Sequence, residues 1–96
     1  MSLPITLRVI TPEGVKKELE CDDVVLYARD NAKGEGGGSV GIHKGHIPAV
    51  IALENGAPFY AKAEGEEIYR AKAFGGFAKV KDNKVTVIAP SVSEEE

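Results

Sequence analysis

The chain's two histidines fall in one short string, His43-Lys44-Gly45-His46. Imidazoles can hold zinc, but a zinc site needs a third ligand and usually a fourth. Neither a His-Glu-x-x-His layout nor paired cysteines accompany them. The two side chains are therefore expected to make hydrogen bonds or partner contacts from a loop, with no metal bound. Cys21 is the single cysteine. It cannot close an internal disulfide, it has no catalytic signature around it, and free cysteine is among the most buried residue types, so it is expected in the core. Asp22-Asp23 and Glu66-Glu67 pair their carboxyl groups on expected turns, without the apolar surroundings that would separate two pKa values for acid–base work. The glycine-rich stretch Gly34-Glu35-Gly36-Gly37-Gly38-Ser39 lacks the Gly-Lys-Ser/Thr of a phosphate loop, and no helix start follows it to receive an anion. Gly75-Gly76 lies between Phe74 and Phe77 at a strand junction, where paired glycines indicate a bulge or a close backbone approach. No nucleophile with a base beside it emerges, so no catalytic residue and no cofactor are expected.

The elements that carry these residues read with period two. Ile5, Leu7 and Val9 alternate with Thr6, Arg8 and Ile10, the pattern of a half-buried strand. Thr11-Pro12-Glu13-Gly14 is turn chemistry, and a second strand is expected from Val15 to Glu20. Val24-Val25-Leu26-Tyr27-Ala28 is continuously apolar, which predicts burial on both faces. Arg29 to Ser39 reads as a flexible loop, and Ile47 to Leu53 as a strand. Glu54-Asn55-Gly56 carries the Asn-Gly signal of a type I′ turn. Hairpins are expected from Pro58 to Ala63 and Ile68 to Ala73 about a Glu64–Glu67 tip. A further hairpin joins Phe77–Lys81 to Val85–Ile88 about Asp82-Asn83-Lys84. The fold class is all-β: a single-domain, small antiparallel β-sandwich or flattened barrel, assigned to residues 1–90. Ser93-Glu94-Glu95-Glu96 matches a capping box, so residues 91–96 read as an acidic tail at a helix start, and as frayed because four residues cannot sustain a helix.

Ninety-six residues hold one core. Apart from the terminal Glu94, Glu95 and Glu96, residues 1–93 carry 12 acidic and 12 basic side chains. Such a balance has no basic footprint for a phosphate backbone, which excludes nucleic acid. The longest apolar run, Pro48 to Leu53, is far short of the ~20 residues of a membrane-spanning helix, so no direct membrane insertion is expected.

Three strings then acquire a specific likeness. Val40-Gly41-Ile42-His43-Lys44-Gly45-His46-Ile47-Pro48 resembles the Leu-Gly-Ile-x-Pro-Gly-His-Ala-Pro segment of the epsilon subunit of F-type ATP synthases. Gly75-Gly76-Phe77-Ala78-Lys79-Val80, followed by Val85-Thr86-Val87-Ile88-Ala89, is similar to that family's Gly-Gly-Phe-Ala-Glu-Val and Val-Thr-Val-Leu-Ala block. Leu7 to Glu13 resembles its opening strand. The resemblance implies a non-catalytic rotor subunit of the central stalk, whose partners are the gamma subunit and the c-ring, coupling ion translocation to ATP synthesis. It implies a peripheral position on the cytoplasmic face of the cell membrane, within that complex. It also implies a c-ring contact at Gly41, Ile42, Gly45 and His46, and a gamma-facing or structural role for Gly75, Gly76, Phe77 and Val80. The family commonly continues into a helical hairpin that can restrain hydrolysis, and no such arm is expected of these residues. Two other readings stand beside it: a free-standing β-sandwich that binds a small polar ligand through the glycine-rich loop, and a small metalloenzyme built on His43 and His46.

Overall fold

The computed structural model describes residues 4–28, 38–45 and 48–95. Among these, ten strands and no helix are found: β1 (Ile5–Thr11), β2 (Gly14–Cys21), β3 (Asp23–Ala28), β4 (Gly38–His43), β5 (Ala49–Ala52), β6 (Ala57–Ala63), β7 (Glu66–Ala73), β8 (Phe77–Lys81), β9 (Lys84–Ile88) and β10 (Val92–Glu95). They form two five-stranded sheets. Sheet A runs β2-β1-β9-β8-β5 and sheet B runs β10-β7-β6-β3-β4. Every pairing is antiparallel except β1 with β9, which run parallel in the middle of sheet A.

Period-two alternation turns the apolar residues of both sheets inward. Ile5, Leu7 and Val9 of β1 meet Val85 and Val87 of β9 and Ala78 and Val80 of β8 from one side. Val24 and Leu26 of β3, Ile42 of β4, Phe59 and Ala61 of β6, and Ala71 and Ala73 of β7 come from the other, all essentially closed to solvent. Phe59 is the largest fully buried side chain, with the Tyr69 ring 6.2 Å away and tilted 57°. Among the described residues, five of the eighteen buried apolar ones are alanine, which leaves room for that large ring. Cys21 is buried as expected, and burial pushes its thiol up to about 11.

Three local expectations are corrected. The Val24–Ala28 strand is not buried on both faces: Val24 and Leu26 point into the core, while Val25 and Tyr27 are only half-buried on the outside of sheet B. Asn55-Gly56 does not close a type I′ hairpin. Gly56 takes φ +80° but Asn55 does not share the left-handed region, and the turn carries the chain from β5 in sheet A to β6 in sheet B. Leu53 anchors this corner, donating its amide to Gly76 O of one sheet at 3.1 Å and bridging Ala28 of the other. Type I′ geometry, with positive φ at both central residues, occurs instead at Glu64-Gly65 and Asp82-Asn83.

The tail is the third. Val92–Glu95 is a strand at the edge of sheet B, paired with β7 in the register Val92↔Ala73, Ser93↔Lys72, Glu94↔Ala71, Glu95↔Arg70. Val92 is buried. The sandwich therefore extends past residue 90, and Ser93 does not open a helix. Burial of the apolar Val92 and the backbone pairing that β7 provides outweigh the capping pattern.

Candidate functional site

Two surface regions carry the residues that the sequence singles out. The first is the end of β4 and the turn after it. Alternation continues through Val40-Gly41-Ile42-His43, so Ile42 enters the core at 1% exposure, while Gly41 and His43 lie on the outside of sheet B. The His43 imidazole sits over Gly41: a Cβ built on that glycine would lie 3.2 Å from His43 Nε2. His43 Nδ1 also approaches Oδ1 of Asp23, its cross-strand neighbour, to 3.2 Å. That oxygen is buried and has no hydrogen-bond partner among the described residues. Gly45 takes φ +82° and donates its amide to Asn83 Oδ1 at 2.8 Å. This bond ties the turn to the β8–β9 tip of the other sheet.

The second region lies at the opposite end of sheet A, where β8 begins. Gly76 is held by sterics: at φ +88°, a Cβ would fall 2.1 Å from Ile88 O and 2.7 Å from Ala89 Cα. Only glycine fits so close a backbone approach. Beside it Phe77 projects outward, 40% exposed, and Ile10, Pro12, Ile88 and Pro90 complete an almost wholly apolar groove of about 440 Å³. Val80, further along β8, points into the core at 1% exposure.

A family model described as "ATP synthase, Delta/Epsilon chain, beta-sandwich domain" matches residues 4–95. The chain belongs to this family. It is 35% identical over 89 residues to the ATP synthase epsilon chain of Desulfitobacterium hafniense, a match covering 93% of this chain and 61% of that one. It is also 35% identical over 92 residues to the epsilon chain of Priestia megaterium, covering 96% and 62%. The chain thus spans about three fifths of the length of these relatives. The fold is shared with a chain in the central stalk and c-ring of the Tetrahymena thermophila mitochondrial ATP synthase (TM-score 0.68, 12% identity, 95% of this chain and 66% of that one). A chain of the Euglena gracilis mitochondrial ATP synthase shows it too (TM-score 0.71, 21% identity, 98% and 56%).

Within this family sandwich, the residues named from the motifs separate by depth. Gly41 and Gly45 are exposed, whereas Ile42 is a core residue, so its side chain cannot be an outward contact. Its position was legible from the alternation with Gly41 and His43, which the motif likeness overrode. His46 lies outside the described residues. Of the second set, Gly75, Gly76 and Phe77 come together at the groove end, Gly75 with φ +83° against Pro90, while Val80 is purely a packing residue. Motif reading missed Ile10, Ile88 and Pro90. An isoleucine at an outward position of an alternating strand was the available signal.

Proposed function

We propose that the chain serves as the sandwich of a non-catalytic, epsilon-type rotor subunit in an F-type ATP synthase, joining the gamma subunit to the c-ring. The carrying observation is the family match across residues 4–95, which takes in both the glycine-loop strand and the Gly75-Gly76-Phe77 junction. The geometry suits a mechanical part. Its two candidate contact regions lie at opposite ends of one closed core, and the Gly45–Asn83 bond and the Leu53 corner connect the sheets between them. Force applied at one end then reaches the other without a hinge. The apolar groove at Phe77 is the gamma-facing region in this reading, and the Gly41–Gly45 turn, continuing into His46, faces the ring. No helix among the described residues is long and apolar enough to cross a membrane. Attachment at the cytoplasmic face of the cell membrane then comes through these partners. A stable interface buries about 800 Å² on each side, more than the groove alone supplies, so the adjoining outer face of sheet A takes part. The test is assembly: the chain is mixed with its cognate gamma subunit and detergent-solubilised c-ring and passed over a sizing column. Co-elution of all three is expected, and elution of the chain alone would remove the reading.

A further inference from the structure

The outer face of sheet A changes character along its strands. Near the Phe77 end it is apolar; at the β8–β9 tip it is lysine-rich. The register sets Lys81 directly across from Lys84, and Lys79 across from Thr86. All three lysines are exposed, and none takes part in an ion pair among the described residues. Arg8, which neighbours Thr86 on the other side, is by contrast taken up by Glu18 at 2.7 Å. With Asp82 and Thr86 the lysines line a shallow groove of about 450 Å³.

Like charges facing each other across an antiparallel pair are destabilising. This chain places such a pair on a molecule whose net charge is -3, and among the described residues no carboxylate within ion-pair distance offsets it. A local rule broken without compensation inside the fold points to a ligand outside it. The support is firm: Asp82 and Asn83 both occupy the left-handed region of a type I′ turn, and Asn83 is further held by the Gly45 amide. Three ammonium groups and a hydroxyl supply several donors and concentrated positive charge, which suits an anion with many oxygens and more than one negative charge.

We propose that the Lys79–Lys81–Lys84 groove is a binding site for a phosphate-bearing anion, either a soluble diphosphate or the phosphate of an anionic lipid headgroup. The site is independent of the rotor reading, since it needs neither gamma nor the ring.

Amide shifts of the isotope-labelled chain, titrated with inorganic pyrophosphate against sodium chloride at equal ionic strength, test the soluble source. Sedimentation with phosphatidylglycerol–phosphatidylcholine vesicles, against phosphatidylcholine alone, tests the headgroup. The expected result is a saturable response in at least one arm, confined in the first to residues 79–86. Affinity should fall roughly two- to fivefold for each lysine removed in Lys79→Gln and in Lys81→Gln with Lys84→Gln, the worth of an exposed charge pair. Lys16→Gln, on the distant strand β2, should leave it unchanged. These variants relieve repulsion, so the fold should persist, and unshifted amides elsewhere verify that. A pyrophosphate response alone assigns the soluble anion, and a vesicle response alone assigns the headgroup. Shifts no larger than those with chloride together with no sedimentation, or binding that survives both lysine variants, overturn the proposal.

Discussion

Gly76 shows how much a single residue can decide. Its backbone passes so close to Ile88 O that a side chain has no space, and its φ of +88° is left-handed as well. Gly76→Val is expected to cost at least about 2 kcal/mol, from clash and strain together. Gly65 has a similar φ of +82° but open space around it, so Gly65→Ala should lose only about 1 kcal/mol. Equal midpoints for the two variants in urea would show that sterics at Gly76 are incidental. The paired glycines were legible as a close approach because they stand between two aromatics at a junction; which backbone they meet was not, since Ile88 and Ala89 arrive only with β9. Cys21 gives a pH signature. Burial raises its thiol from its ordinary 9.0 to about 11, so the unfolded chain releases that proton first as pH rises. Its contribution to stability is whole below pH 9 and is lost between about 9 and 11. Cys21→Val should flatten that part of the stability curve, and an unaltered curve would mean that the thiol is not held in the core.

At the scale of elements, alternation carried the fold. The β1 pattern places Ile5, Leu7 and Val9 inward as read, because a residue facing the core leaves a period-two trace. What did not show was any feature set by a distant strand. The Asn55-Gly56 signal names a turn but cannot say that its flanking strands belong to different sheets. The acidic tail looks helical until β7 offers it an edge. For that tail, carbon chemical shifts of 92–95 are expected to be those of a strand, and Val92→Asp should destabilise the domain by about 2–3 kcal/mol by burying a charge. Helical shifts would contradict the pairing with β7. The Asn83 tether separates two roles of one residue, since Asn83→Gly keeps the left-handed turn but removes the Oδ1 that receives the Gly45 amide. Amide exchange in residues 43–45 should quicken while the β8–β9 ladder stays protected. Unchanged exchange at Gly45 would show that the bond does not hold the turn.

Taken whole, the molecule is a closed double sheet whose candidate chemistry lies entirely on its outside. None of its buried residues is polar or charged among those described. The candidate site was only partly legible for that reason. A motif does not tell a packing residue from a surface one: Ile42 and Val80 are buried, whereas Phe77 stays on the surface at 40% exposure. The distinction matters for mutagenesis: Ile42→Asp should block any assembly by unfolding the sandwich, while Phe77→Asp should leave the fold intact. Binding to the gamma subunit is therefore the measurement that bears most directly on the account, followed by calorimetric titration of the folded chain into its cognate gamma. The expected result is one-to-one binding, weakened about tenfold or more by Phe77→Asp, as for an apolar anchor at an interface, and unaffected by Lys16→Gln. Absence of binding, or binding indifferent to Phe77→Asp, would contradict the assignment of the groove as the gamma-facing surface of a rotor subunit.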